Sequence, residues 1–295
     1  MMNLSPAART LPMPRTEALA PPRANCKPIV KWVGGKRWIL PTIAEPIYQR
    51  LAVTKGSYIE PFLGGGAVAL DLGLPRMILG DMCRPLIVMY QAIVRAPDAV
   101  AFALQQLIDR GTDEAHYYHV RAHDSRSPVL AAARFIFMNK LGFNGLYREN
   151  ASGQCNTPYG KDPNKGMPEL PHFRAVAAAL KTSVITQRDA LETIALAAEG
   201  DVIYVDPPYL TTFSDYTAKG FDEAAHLALA ASLRDAHHRG ATVLASNTDH
   251  ERIRAMYAWA TIMPIHERHV VAAASDKREK KPALIITSDP TLLGP

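Results

Sequence analysis

The feature that most narrows the possible folds is the run Val202-Ile203-Tyr204-Val205, followed at once by Asp206-Pro207-Pro208-Tyr209. A continuous apolar, largely β-branched stretch suits a parallel strand covered on both faces, because a half-exposed strand would alternate polar and apolar residues. The prolines then stop it, since neither can donate a hydrogen bond to a ladder. The implied fold is α/β, with helices on both faces of a mostly parallel, Rossmann-like sheet. Other segments agree. Residues 57–60 read as a short strand, 61–66 as a glycine-rich turn, 67–72 as a helix, and 76–79 as a second strand ending at Asp81, which together open a βαβ unit. Residues 223–239 have the pattern of an amphipathic helix, and 241–245 and 283–287 read as further buried strands.

Between these blocks the chain changes character. Residues 129–140 read as a helix, and 141–160 run LGFNGLYRENASGQCNTPYG, where Asn144-Gly145 and Ser152-Gly153 are turn signals for an irregular β-hairpin. A connection this long is uncommon in a compact fold unless it has work to do. Residues 85–181 are therefore expected to form an inserted domain, helical with a β-hairpin, and residues 23–84 and 182–295 the catalytic one. Residues 1–22, rich in Ala, Pro and Arg without an apolar period, are expected to be a flexible leader, an upstream extension rather than part of the fold.

Several functional classes are excluded early. No apolar run approaches the roughly 18 residues of a membrane span, and no signal-peptide apolar region opens the chain, so a cytoplasmic protein is expected. Cys26, Cys83 and Cys155 are far apart with no CxxC pair, which fits neither a disulfide scaffold nor a zinc ribbon. His116 and His119 could share a helix face, but no third ligand follows at metal spacing, and no metal is expected. No GxSxG signature of a serine hydrolase occurs. The net charge of +5 is concentrated in two places, Arg9 to Arg37 and the run Lys277, Arg278, Lys280 and Lys281. Such clusters suit a polyanionic partner, although a solvated surface explains either one alone.

Two motifs carry chemistry. In Glu60-Pro61-Phe62-Leu63-Gly64-Gly65-Gly66 the missing side chains let a cofactor approach the backbone, and Asp81, ending the next strand, can accept hydrogen bonds from ribose hydroxyls. The loop is not GxGxxG, and no P-loop is present. The tetrapeptide Asp206-Pro207-Pro208-Tyr209 places a carboxylate, an unpaired carbonyl and an aromatic ring at one strand tip. An exocyclic purine amine is planar and a poor nucleophile. Acceptors at Asp206 and the Pro207 carbonyl can each take one N–H and turn its lone pair toward an electrophile. Pro208 stiffens the turn, and Tyr209 offers a face for an extruded base.

Taken in order, Lys31-Trp32-Val33-Gly34-Gly35-Lys36, the glycine loop, Asp81, the segment from Asn139 to Gly160 and Asp206-Pro207-Pro208-Tyr209 resemble the Dam-type, α-class (D12) adenine-specific DNA methyltransferases from about Pro28 to Ser288. The resemblance implies methyl transfer from S-adenosylmethionine to N6 of a flipped adenine in double-stranded DNA, in a bacterial cell or from a prophage, with or without a restriction endonuclease acting at the same site. It assigns Trp32, Lys36, Glu60, Phe62, Gly64, Gly66, Asp81, Asp189 and Asp206 to the cofactor, with Lys36 meeting the cofactor carboxylate and Asp189 near its adenine ring. The segment from Asn139 to Gly160 is similar to the family's target-recognition hairpin. There Arg148 can pair with a guanine edge and Asn144 with a phosphate or base, while Phe143, Leu146 and Tyr147 supply either wedge surface or hairpin packing. Lys277 and Arg278 are expected on phosphates. GATC is a target sequence compatible with this hairpin. Methylation of RNA or of a protein amide, and a catalytically inert DNA-binding relative, are the competing readings.

Overall fold

The computed structural model describes residues 23–209, 221–265 and 283–293; residues 1–22 and the basic run containing Lys277, Arg278, Lys280 and Lys281 lie outside the described residues. Helix α1 (Leu40–Thr54) leads into β1 (Tyr58–Glu60), α2 (Ala67–Leu72) and β2 (Met77–Asp81). The helices α3 (Arg84–Arg95), α4 (Pro97–Asp109), α5 (Glu114–Ala122), α6 (Pro128–Leu141) and α7 (Leu170–Ala179) follow before β3 (Val184–Gln187). The remainder is α8 (Ala190–Ala195), β4 (Val202–Val205), α9 (Glu223–His238), β5 (Thr242–Thr248), α10 (Glu251–Met256), β6 (Thr261–Ile265) and β7 (Ala283–Thr287).

The strands form one seven-stranded sheet in the order β3-β2-β1-β4-β5-β7-β6. The pairs β1–β2, β1–β4, β2–β3 and β4–β5 are parallel, and β7 runs antiparallel between β5 and β6. The pleat sends alternate side chains to opposite faces. Tyr58, Leu79, Tyr204 and Leu244 join one core with α1 to α7, whereas Ile59, Ile203, Val205 and Val243 join a second core with α8 to α10. Both faces are covered, which is why β4 is apolar at every position.

The strands and helices expected around the two motifs are present, with ends shifted by a residue or so. Strands β3 and β6 and helices α1, α8 and α10 have no counterpart in the sequence reading. The inserted stretch is folded onto the sheet rather than around a core of its own, since Leu86 and Tyr90 of α3 and Phe135 and Phe137 of α6 belong to the same cluster as Leu79 and Tyr204. Helix α6 is apolar nearly all round and correspondingly buried. Among the described residues no single helix is long and apolar enough to cross a membrane.

Candidate active site

Leaving β1, the chain order runs outward through β2 on one side, and through β4 on the other. Ligands of doubly wound sheets bind outside the strands' carboxyl ends at such a switch point. A cleft of about 1660 Å³ opens there, lined by both strand-end motifs. It brings together Trp32, Lys36, Glu60, Phe62, Gly64, Asp81, Asp189, Asp206, Pro207, Pro208, Tyr209 and the turn residue Asn144. Gly66 stands just behind, as the left-handed N-cap of α2.

Asp206 is the most heavily engaged group. Its Oδ1 lies 2.8 Å from Lys36 Nζ and accepts the Ser246 hydroxyl at 2.7 Å. Its Oδ2 has no hydrogen-bond partner among the described residues. Burial pushes the Asp206 carboxyl up, while the Lys36 charge and the hydrogen bonds from Lys36 and Ser246 pull it down, and burial prevails. Lys36 also donates to the Gly34 carbonyl at 2.8 Å and stands 4.4 Å from the centre of the Tyr209 ring. The side chain expected to meet a cofactor carboxylate therefore rests on Asp206 and covers one face of Tyr209. Because β4 stops at Val205, no strand ladder engages the Pro207 carbonyl.

The glycine loop is fixed by close packing and by Asp81. Gly64 has φ +48°, and a Cβ there would come within 2.8 Å of Trp32 Cδ1, so both backbone conformation and space require glycine. Gly64 N–H donates to Asp81 Oδ2 and Cys83 N–H to Asp81 Oδ1, each at 2.8 Å. Asp81 thus shapes the loop and retains lone pairs for a ligand. Glu60, 3% exposed, accepts the Tyr58 hydroxyl at 3.0 Å and the Ala69 N–H at 3.1 Å, and burial raises its pKa to about 8. Asp189 caps α8 by accepting the Leu191 N–H at 2.8 Å. Phe62 meets Phe221 edge-on at 5.6 Å, both on the cleft wall.

The hairpin is real but loosely laddered, with antiparallel bridges Gly142↔Tyr159 and Glu149↔Cys155. Asn144 (φ +53°) and Gly145 (φ +68°) are both left-handed, as an Asn-Gly turn requires. This turn is clamped to the segment before α1. The buried Asn139 amide accepts the Lys31 N–H at 2.9 Å and donates to the carbonyls of Lys31 and Gly145 at 2.8 and 2.9 Å. Phe143 and Arg148 are exposed, and the Arg148 guanidinium has no partner among the described residues. Leu146 is half-buried. Tyr147 packs on Phe135 at 4.8 Å, which favours hairpin packing for that ring. At the tip, Asn150 Oδ1 accepts the N–H groups of Ser152 and Gln154, closing the loop on itself. Lys31 and Lys140 stand on the cleft wall beside the turn.

Sequence reasoning missed Ser246, Phe221, Asn139 and Lys140. Ser246 and Asn139 had no sequence signal of their own, since each stands beside other polar residues at the end of its element, Asn247 and Thr248 in β5 and Lys140 in α6. The paired histidines are ordinary helix residues, with His116 Nε2 3.0 Å from the Leu107 carbonyl, and no metal-ligand group occurs among the described residues.

Sheet order, the antiparallel β7 and a cleft at the switch point define the class: an α/β protein of the S-adenosylmethionine-dependent methyltransferase fold. The family model described as D12 class N6 adenine-specific DNA methyltransferase matches residues 32–271, and the chain belongs to that family. It is 28% identical over 279 residues to Type II methyltransferase M1.LlaDCHI of Lactococcus lactis subsp. cremoris, covering 90% of this chain and 96% of that protein. It is 30% identical over 280 residues to DNA adenine methylase of Escherichia coli strain K12, covering 90% and 96%. Against the DNA N-6-adenine-methyltransferase of Escherichia phage P1 it is 34% identical over 260 residues, 85% of this chain but 34% of that longer protein.

Proposed function

We propose that the chain is a site-specific DNA adenine-N6 methyltransferase that uses S-adenosylmethionine and receives its adenine flipped out of the duplex. The observation that carries this is the state of the strand tip. One oxygen of Asp206 is pinned, the other and the Pro207 carbonyl have no hydrogen-bond partner among the described residues, and all of them border one cleft. Ordinary ligand pockets occupy roughly 300–1,000 Å³, so about 1660 Å³ has room for a cofactor and an extruded nucleoside together.

The residues present fit that cofactor. The Gly64 backbone comes so close to Trp32 that a side chain would fill the cradle, and acidic groups at Glu60 and Asp81 suit a cationic, ribose-bearing ligand. Trp32, Glu60, Phe62, the Gly64–Gly66 turn, Asp81 and Asp189 would hold it. When bound, S-adenosylmethionine supplies an activated methyl on a sulfonium. The protein's part is alignment. Asp206 Oδ2 and the Pro207 carbonyl accept the two N–H bonds of the adenine amine, which localises the lone pair on nitrogen, and Asp206 takes the proton the nitrogen sheds as it is alkylated. Tyr209 stacks on the base, offsetting part of the few kcal/mol that extrusion costs. Phe143, Asn144, Leu146 and Arg148 read the duplex, GATC being the first sequence to try. Similarity to a Type II methyltransferase is what would pair the chain with a restriction nuclease of the same site.

Tritium transfer from labelled cofactor to DNA, RNA and protein tests the substrate, and single-molecule sequencing of DNA from expressing cells tests site and modified atom. Asp206→Asn, which keeps the volume beside Lys36, should lower transfer to DNA by about 100-fold or more with the secondary structure retained by circular dichroism. Wild-type turnover in that variant would remove Asp206 from the mechanism.

A further inference from the structure

We infer that Ser246 and Tyr204 are positioning residues for the transfer: they lock the Asp206 carboxylate in the one rotation that offers Oδ2, beside the Pro207 carbonyl, to the target amine. The inference rests on the methyltransferase reading above and extends it to residues that neither motif contains.

The strand register builds the relay. Tyr204 pairs with Leu244 and Val205 with Ala245, so Asp206 and Ser246 come opposite one another one step further on. Alternation puts Tyr204, Asp206 and Ser246 on a single face of the sheet. Ser246 is fully buried and its Oγ stands 2.7 Å from Asp206 Oδ1, while the buried Tyr204 hydroxyl is 3.0 Å from the same Oγ. A serine hydroxyl has one hydrogen. Given to the carboxylate, it leaves Oγ as acceptor, so Tyr204 is the donor at the far end. The relay therefore has one direction, from Tyr204 to Ser246 to Asp206.

Rotation about the bond to a carboxylate is broad and two-fold, so an Asp side chain held by one contact can exchange its oxygens. Lys36 alone is a poor lock, because an ammonium is a point charge on a four-carbon stem, shared here with the Gly34 carbonyl, and fixes no single rotation of the carboxylate. Ser246 is carried by a central strand and cannot follow. The charged and titratable groups facing Asp206 are Lys36 from the segment before α1, Glu60 from β1, and Tyr204 and Tyr209 from β4 and its tip.

The test uses the full chain with S-adenosylmethionine and duplex DNA. In Ser246→Ala, kcat should fall about ten-fold or more, the worth of a hydrogen bond to a charged group, with KM for both substrates unchanged. Asp206 works as a carboxylate, so activity is lost as pH falls through its pKa; removing a donor raises that pKa, and the acid limb of kcat should move to higher pH. Ser246→Thr keeps the hydroxyl and should return the limb to its wild-type position. Tyr204→Phe should move it in the same direction by less, and reads the relay even if Ser246→Ala folds poorly. Wild-type kcat with an unmoved acid limb in Ser246→Ala would overturn the inference alone, as would a loss confined to thermal stability. Absence of transfer by the wild-type chain would overturn the methyltransferase reading and this inference with it.

Discussion

Glu60 keeps its carboxyl away from water, between the Tyr58 hydroxyl and the first turn of α2, and with a pKa of about 8 it is protonated at neutral pH in the free protein. A cationic ligand beside it favours the carboxylate and lowers that pKa. Cofactor binding below pH 8 should therefore release a proton, and the measured binding enthalpy should vary with the ionisation enthalpy of the buffer. Glu60→Gln should abolish the variation. A buffer-independent enthalpy in the wild-type chain would place the positive charge elsewhere. The same group affects stability. Its folded pKa lies above the unfolded value, so its contribution is complete below pH 4.5 and is lost as pH rises toward 8. Glu60 itself was evident in the sequence beside the glycine loop. Its environment was not, because the Tyr58 contact depends on side chains two apart sharing one face of a strand that the sheet then buries.

Among the elements, α6 and the hairpin behave as one unit through Asn139. Asn139→Ala would leave the Lys31 N–H and the Gly145 carbonyl without their partner, at a cost of roughly 1–3 kcal/mol for each group left buried. Discrimination between cognate and non-cognate duplexes should fall about ten-fold, in line with the loss of one base contact, while cofactor affinity holds. Arg148→Ala should do the same, and an equal loss on both duplexes would count against base reading by this turn. Elements with a strong local pattern were legible in advance: the apolar β4, the helix between Gly66 and Gly73, and the amphipathic α9. The strands β3 and β6 were not. They lie at the two edges of the sheet, where Val184 is 52% exposed and Pro264 interrupts the pattern, so neither alternation nor a continuous apolar run marks them. The hairpin was visible through its Asn-Gly and Ser-Gly turns alone, since isolated bridges impose no strand pattern. Ser246 and Asn139 were invisible as functional residues because the contacts that give them a role, to Asp206 and to Lys31, span 40 and 108 positions of the chain.

Across the whole molecule, the excess of positive charge and the Lys31, Lys140 and Arg148 side chains around the cleft and hairpin predict DNA binding that weakens as salt rises. Log affinity should fall linearly with log salt, by roughly 0.9 per phosphate neutralised. Replacing Lys277, Arg278, Lys280 and Lys281 with Gln should flatten the line without altering sequence choice, and an unchanged slope would exclude those side chains from phosphate contact. The core shared by the sheet and the inserted helices shows why the cleft and the Asn144-Gly145 turn keep register: α3 and α6 pack with the sheet, so the inserted stretch is referenced to the same framework as Asp206. The tip at 150–154 differs in this respect. Its hydrogen bonds close among Asn150, Ser152 and Gln154, and a side chain at Gly153 would meet open space. Lengthening, shortening or exchanging those few positions should accordingly leave the packing beneath the strand ends undisturbed, as a cassette set apart from the load of the fold.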